Sequence, residues 1–207
     1  MKTRSLLRKL EYARLSRLVV DGRILDVGGS KRSGYLELIG GTHTVEVGNI
    51  DASYEVDTVF DAEEPWPYEN GSFDGVLFIN LLEHLYQPQR ALDEARRVLK
   101  ADGVVVGVVP FMYNVHGSPD DYFRYTDAAL SRLFADARFT RVSVEPLGSG
   151  VFSMIYQSLL GFVRWFWLAA LLKPVFVGLD RLLARLRPGN GMGVAYMPLG
   201  YYFEARP

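Results

Sequence analysis

"ILDVGGSKRSGYLELIG", residues 24–40, sets two apolar residues before Asp26, a glycine pair directly after Val27, and a helix-like run from Gly34. An apolar run that ends in an acid and two bare backbone positions reads as the carboxyl end of a buried strand entering a tight turn. Parallel sheets bind ligands beyond the carboxyl ends of their strands, and glycine lets backbone pass close to a ligand or take positive φ. Working outward, residues 23–27 read as the first strand and 34–39 as the helix after it. Residues 43–47 read as a second strand and 57–60 as a short third. "FDGVLFI", 73–79, is apolar almost throughout, as expected of a strand buried on both faces. A helix over 89–99 follows Pro88, and "VVVGVVP", 104–110, is the next central strand. Thr126 is placed to cap "DAALSRLFADA", and 141–147 and 199–207 read as further strands. This alternation predicts an α/β fold with helices covering a parallel sheet.

Composition sets the outer bounds. A chain of 207 residues with 49% hydrophobic and 23% charged content is expected to fold as one domain with a real core. A net charge of −1 gives no electrostatic case for nucleic acid. The absence of cysteine excludes disulfides, thiolate metal sites and thiol nucleophiles, and fits a reducing, cytoplasmic setting. Lys2, Arg4, Arg8, Lys9, Arg14 and Arg17 face one acid, Glu11, so residues 1–20 read as a basic amphipathic helix. Its Leu6, Leu7, Leu10 and Leu18 point inward, and the recurring charges do not suit a signal peptide.

The glycine turn fails two nucleotide readings. A dinucleotide fingerprint starting at Gly28 needs glycines where Ser30 and Ser33 stand. A P-loop using Gly29 and Gly34 needs Lys and Ser/Thr where Tyr35 and Leu36 stand. Asp26 repels a pyrophosphate but suits an ammonium or sulfonium centre, directly or through water. Asp26-Val27-Gly28-Gly29-Ser30 resembles the acid-x-Gly-x-Gly pattern of class I S-adenosylmethionine-dependent methyltransferases, of the small single-domain bacterial, type 11-like kind, with Ser30 in place of the second glycine. The resemblance continues in order over "VFDAEEPWPYENGSFDGVLFINLLEHLYQPQRALDEARRVLKADGVVVGVVP", 59–110, and covers roughly residues 20–147.

That resemblance implies a doubly wound, Rossmann-like sheet, mostly parallel with an antiparallel last strand, and S-adenosylmethionine as cofactor. It implies Asp26, Gly28, Gly29 and Ser30 at the methionine end, Asp61 and Ala62 at the adenine, and Asn80 near the methionine part. For the ribose hydroxyls the family uses an acid ending the second strand. Here Asn49 is the nearest counterpart, with Asp51 and Glu46 within one alignment slip.

"PFMYNVHGSPDDYFRYT", 110–126, leaves a central strand and is dense in chemistry. His116 is the candidate general base, because imidazole takes protons near neutral pH; the alternative is a rigid lid turned by Pro119. Tyr113, Tyr122 and Arg124 are candidate substrate contacts. Arg124 has two readings: a fork for a substrate anion, or an ion pair with Asp120 or Asp121. Glu83 and His84 suggest no metal, since no further ligands cluster near them in sequence.

Residues 151–187 form a very apolar insertion before the last strand. Arg164 interrupts its first part and argues against a spanning helix. In its second part Pro174 is expected to open a helix that Gly189 closes. Val175, Phe176, Leu179, Leu182, Leu183 and Leu186 share one face of that helix, opposite Arg181, Arg185 and Arg187. Two roles compete: contact with a membrane interface or lipid-linked substrate, and a cap or homodimer surface. The resulting expectation is one unit with parts 1–20, 21–150, 151–190 and 191–207. It would transfer methyl groups to a small or lipid-linked acceptor, more readily oxygen, in the cytoplasm or at the inner membrane face. Its rival is a non-catalytic protein of the same fold or a membrane-interface module.

Overall fold

The computed structural model describes residues 5–117, 119–160, 166–186 and 193–207. Lys2, Arg4, Arg164, Arg187 and Gly189 therefore lie outside the described residues. Seven strands build one sheet in the order β3-β2-β1-β4-β5-β7-β6. They are β1 (Gly22–Val27), β2 (His43–Asn49), β3 (Thr58–Val59), β4 (Phe73–Ile79), β5 (Leu99–Pro110), β6 (Arg141–Leu147) and β7 (Gly200–Arg206). The β1–β5 pairings are parallel, and β7 runs antiparallel between β5 and β6. The alternation seen in the sequence gives the parallel part. The Rossmann-like, mostly parallel sheet with an antiparallel last strand is the fold observed.

Two apolar layers sandwich the sheet. On one face α2 (Pro88–Val98) and α3 (Asp127–Asp136) pack with Phe73, Phe78, Leu92, Phe134 and Phe203. Pro88 at the start of α2 loses no hydrogen bond there, and the Thr126 hydroxyl accepts from Ala129 N at 3.2 Å to cap α3. On the other face lie α1 (Leu6–Leu15), α4 (Val151–Leu159) and α5 (Phe166–Leu186), around Leu7, Leu15, Tyr156 and Tyr202. Leu6, Leu7 and Leu18 are buried as expected, and Leu10 packs at the edge of the same cluster.

Three expectations are corrected. The helix expected over 34–39 is only a 3-10 turn at Leu36–Leu38. Tyr35 explains it: its ring is buried and its hydroxyl donates to Asp26 Oδ2 at 2.8 Å, which draws this segment down onto β1. Pro174 does not open a helix but lies inside α5. Nor does Phe176 stay on the expected apolar face of α5. Phe176 packs inward beside Leu172 and Val177, while Val175, Leu179, Leu182 and Leu186 are exposed. The rotation is set by Asp180, whose buried carboxylate accepts from Phe152 N and Ser153 N at 2.8 Å and so caps α4.

Candidate active site

The carboxyl ends of β1, β2 and β4 open together into a cleft of about 630 Å³. β1 contributes Val27 and the turn after it Gly28, β2 contributes Gly48 and Asn49, and the following turn adds Ile50, Asp51 and Tyr54. Phe60, Asp61, Ala62 and Glu63 form a wall beyond β3, and Asn80, Leu81, His84 and Leu85 follow β4. Pro119, Asp120 and Tyr122 close the far side. Gly28 has φ +76°, and a Cβ there would stand 2.6 Å from the Leu81 side chain. Its N–H donates to the Gly48 carbonyl at 2.7 Å, which holds the two strand ends together. Bare backbone is thus required at the cleft floor.

The cofactor residues expected from sequence separate into two groups. Gly28, Asn49, Asp51, Asp61, Ala62 and Asn80 line the cleft. Asp26, Gly29 and Ser30 do not. Asp26 is fully buried, under Gly29, where an added Cβ would lie 1.8 Å from Asp26 Oδ2. Burial pushes the Asp26 carboxyl up to about 7, against the opposing effect of the Tyr35 hydroxyl. It sits beneath the turn, apart from the residues that line the cleft. The Ser30 hydroxyl donates to the Tyr54 carbonyl at 2.5 Å, tying the turn to the far wall.

Asn49 is similarly committed. Its Nδ2 donates to the Gly29 carbonyl at 2.9 Å, and its Oδ1 accepts from Asp51 N at 3.2 Å. Asp51 is exposed; its Oδ1 accepts from Ser53 N at 2.8 Å, and that backbone bond holds its carboxyl below the usual range. Asp61 accepts from Glu63 N at 2.9 Å. Asn80 takes φ +53° at the end of β4 and hydrogen-bonds the Glu11 carboxylate of α1 through its side chain. Glu11 is buried, and burial raises its carboxyl despite the ion pair with Arg8 at 3.3 Å.

Beside the cleft, the loop after β5 folds over the turn after β4. Tyr122 N and Phe123 N donate to the Glu83 carbonyl at 2.8 and 3.2 Å. Tyr122 lines the cleft, its hydroxyl donating to Asp120 Oδ2 at 3.0 Å. Arg124 puts both guanidinium nitrogens on Asp121, so its fork is filled and it presents no pair of donors to a substrate anion. The ion-pair reading of Arg124 is the one the structure supports. That pairing holds the Asp121 carboxyl well below the usual range. The His116 ring meets that of the cleft-lining His84 edge to face at 5.0 Å, with Nδ1 3.2 Å from the Asn114 carbonyl and 3.3 Å from Asp121 Oδ2. Tyr113 stacks edge-on against it at 5.1 Å.

Glu83 is the residue that sequence reasoning undervalued. It is fully buried, and among the described residues neither of its carboxylate oxygens accepts a hydrogen bond from another residue. Burial raises its carboxyl to about 8. Ligand atoms of Glu83, His84 and His116 lie within 4.8 Å of one another. The stated reason for expecting no metal, the lack of a third ligand, is therefore corrected. The usable signal was topological: loops leaving adjacent parallel strands at the same end must meet.

Residues 42–107 match the family model described as a methyltransferase domain. That stretch, about a third of the chain, is similar to a methyltransferase domain. The match spans β2 to β5 and starts after the glycine turn. Among solved structures, a SAM-dependent methyltransferase from Archaeoglobus fulgidus is similar at 19% identity and TM-score 0.61, over 97% of this chain and 94% of that one. A possible histamine N-methyltransferase from Thermotoga maritima is similar at 18% identity and TM-score 0.58, over 97% and 88%. Phosphoethanolamine N-methyltransferase 2 of Haemonchus contortus, solved with S-adenosyl-L-methionine, is similar at 17% and 0.58, over 97% and 52%. At these identities the likeness is one of fold. A search of curated proteins finds no match.

Proposed function

We propose that this methyltransferase moves a methyl group from S-adenosylmethionine to an oxygen of a small or lipid-linked acceptor, the whole chain acting as one unit. The observation that carries the reading is the cleft at the ends of β1, β2 and β4, with Asn49, Asp61 and Asn80 on its walls. In it Asn49 or Asp51 faces the ribose hydroxyls, Asp61 and Ala62 the adenine, and Gly28 and Asn80 the methionine end. Asp26 acts from below, by shaping the turn through Gly29. As the acceptor oxygen attacks, its bond to the methyl forms while the sulfur–methyl bond breaks, leaving S-adenosylhomocysteine. The acceptor proton passes to His116 Nε2, since Nδ1 is turned to the Asn114 carbonyl. Much of the rate then comes from holding acceptor and methyl in line.

A lipid-linked acceptor is favoured by α5. Trp167, Leu171, Val175, Leu182 and Leu186 are each more than half exposed, and with the exposed Leu179 they recur every three or four residues, forming one stripe. No helix among the described residues is long and apolar enough to cross a membrane. The stripe is suited to lying on a lipid surface, at the cytoplasmic face in this reading.

Two measurements test the proposal. Calorimetric titration with S-adenosylmethionine is expected to show saturable binding that Asp61→Ala weakens; no binding to the folded wild type sinks the enzyme reading. Co-sedimentation with anionic vesicles is expected to fall in the variant Leu171→Ser/Leu182→Ser/Leu186→Ser. Equal recovery with wild type, or a shift from dimer to monomer instead, removes the lipid contact.

A further inference from the structure

Glu83 and His84 follow β4, His116 follows β5, and the parallel pairing of these strands delivers all three to one end of the sheet. We propose that Glu83, His84 and His116 hold a divalent cation of the transition series beside the acceptor end of the cleft. Three observations carry the assignment. The first is proximity: one donor atom from each residue falls within a 4.8 Å group, with Glu83 Oε1 3.7 Å from His84 Nε2. The histidine rings lie 5.0 Å apart, edge to face.

The second is tautomer. His84 Nδ1 lies 2.5 Å from the Asp120 carbonyl, and His116 Nδ1 3.2 Å from the Asn114 carbonyl. A carbonyl only accepts, so in both rings Nδ1 carries the hydrogen and Nε2 keeps its lone pair. Metal-binding histidines are oriented by such outer hydrogen bonds. The third is Glu83 itself. A fully buried carboxylate with no donor beyond its own backbone N–H is costly unless a cation or proton offsets it. Asp121 takes Arg124, and Arg8 takes Glu11. Among the described residues no lysine or arginine comes within ion-pair distance of Glu83; its neighbour at that range is His84.

Two imidazoles and one carboxylate suit zinc, cobalt, nickel or ferrous iron, whereas calcium and magnesium prefer oxygen donors. Three protein ligands leave at least one position for another donor. His84 also lines the cleft, so that position is suited to an oxygen of the acceptor. This use rests on the methyltransferase reading, and it changes one role. His116 Nε2 then binds the cation, which takes over acidification of the acceptor hydroxyl by direct coordination.

The test uses the full chain, stripped with a chelator and titrated with cobalt(II) while its visible absorption is followed. One cobalt per chain with bands of a nitrogen-and-oxygen site, displaced by zinc, is expected. Glu83→Gln and His116→Gln should each weaken binding by at least the roughly 10–100-fold typical when even outer partners are lost. His43→Gln, on β2, should leave it unchanged. If Glu83→Gln does not fold, His116→Gln, whose side chain is one-third exposed, still decides the matter. No cobalt binding, or binding equal in these variants, overturns the site and leaves a proton shared between Glu83 and an imidazole. S-adenosylhomocysteine titrated in parallel separates the two proposals. Cobalt bound without it sinks the transferase reading alone, and the reverse sinks the cation alone.

Discussion

Replacing Asp26 by asparagine keeps the shape of a fully buried side chain and removes its one ionisable proton. Burial raises the Asp26 carboxyl from 3.8 to about 7, while the Tyr35 hydroxyl at 2.8 Å opposes the rise. Because the folded value lies above the unfolded one, the contribution is fully present below about pH 4 and is lost as pH rises towards 7. Between those limits the folded chain holds one proton that the unfolded chain has released. Stability therefore falls by about 1.4 kcal/mol per pH unit for this group, or about 4 kcal/mol across the window. Glu83 and Glu11 add slopes of the same sign, because burial raises both. They are common to both proteins and cancel in the difference. Urea unfolding of wild type and Asp26→Asn at pH 5, 6, 7 and 8 isolates the Asp26 part. The expected result is a difference that grows in favour of the variant up to about pH 7 and then levels off. A constant offset is allowed for the new amide N–H beneath Gly29. A difference that stays flat from pH 5 to 8 would refute the buried, proton-holding Asp26.

Arg124→Ala removes the two-nitrogen partner of Asp121, which keeps the His116 N–H at 2.8 Å. A cost of about 1.5–3 kcal/mol at pH 7, the range for a hydrogen bond to a charged group, is expected in denaturant unfolding. Asp121 is held below its usual value, so the wild-type advantage should shrink as pH falls below about 4. Gly48→Ala places a methyl 2.0 Å from Phe60 Cε1. The rings of Trp66 and Tyr68 stand 5.5 and 5.7 Å from Phe60, so its ring yields towards the cleft. Overpacking is expected to cost about 1–3 kcal/mol in unfolding, with S-adenosylhomocysteine affinity falling about tenfold by calorimetry.

The strands were legible because their apolar runs are short, dense and bounded by turn residues: Phe73–Ile79 and the run ending at Pro110 sit in the sheet as read. What failed were inferences that stop at local pattern. The run from Gly34 has helix-like spacing, yet one buried tyrosine bonded to a buried aspartate outweighs it. Pro174 looks like a helix start, but α5 continues through it, with Tyr156 donating to the Ala169 carbonyl at 2.8 Å and Asp180 capping α4 on either side. In the site, residues ending the same strands were placed together by topology alone, as Gly28, Asn49 and Asn80 show. The meeting of Glu83 with His116 was not, because the two lie in different loops and their pairing depends on how Tyr122 and Phe123 dock on the Glu83 carbonyl.

The insertion is joined to the cleft by a relay of buried polar contacts. Asp180 of α5 holds the first turn of α4. Gln157 of α4 accepts from Leu6 N at 2.8 Å, supplying a partner that the start of α1 otherwise lacks. Glu11 of α1 then reaches Asn80 at the cleft, and its charge adds to the field that raises Glu83. Each link is a side chain satisfying backbone or charge on the next element, so loss of α5 uncaps α4, loosens α1 and frees Asn80. Deleting residues 151–187 to test lipid contact would therefore disturb the catalytic cleft as well. Substitutions confined to the exposed stripe leave Asp180, Gln157 and Glu11 in place, and only they separate what α5 does at a surface from what it does for the fold.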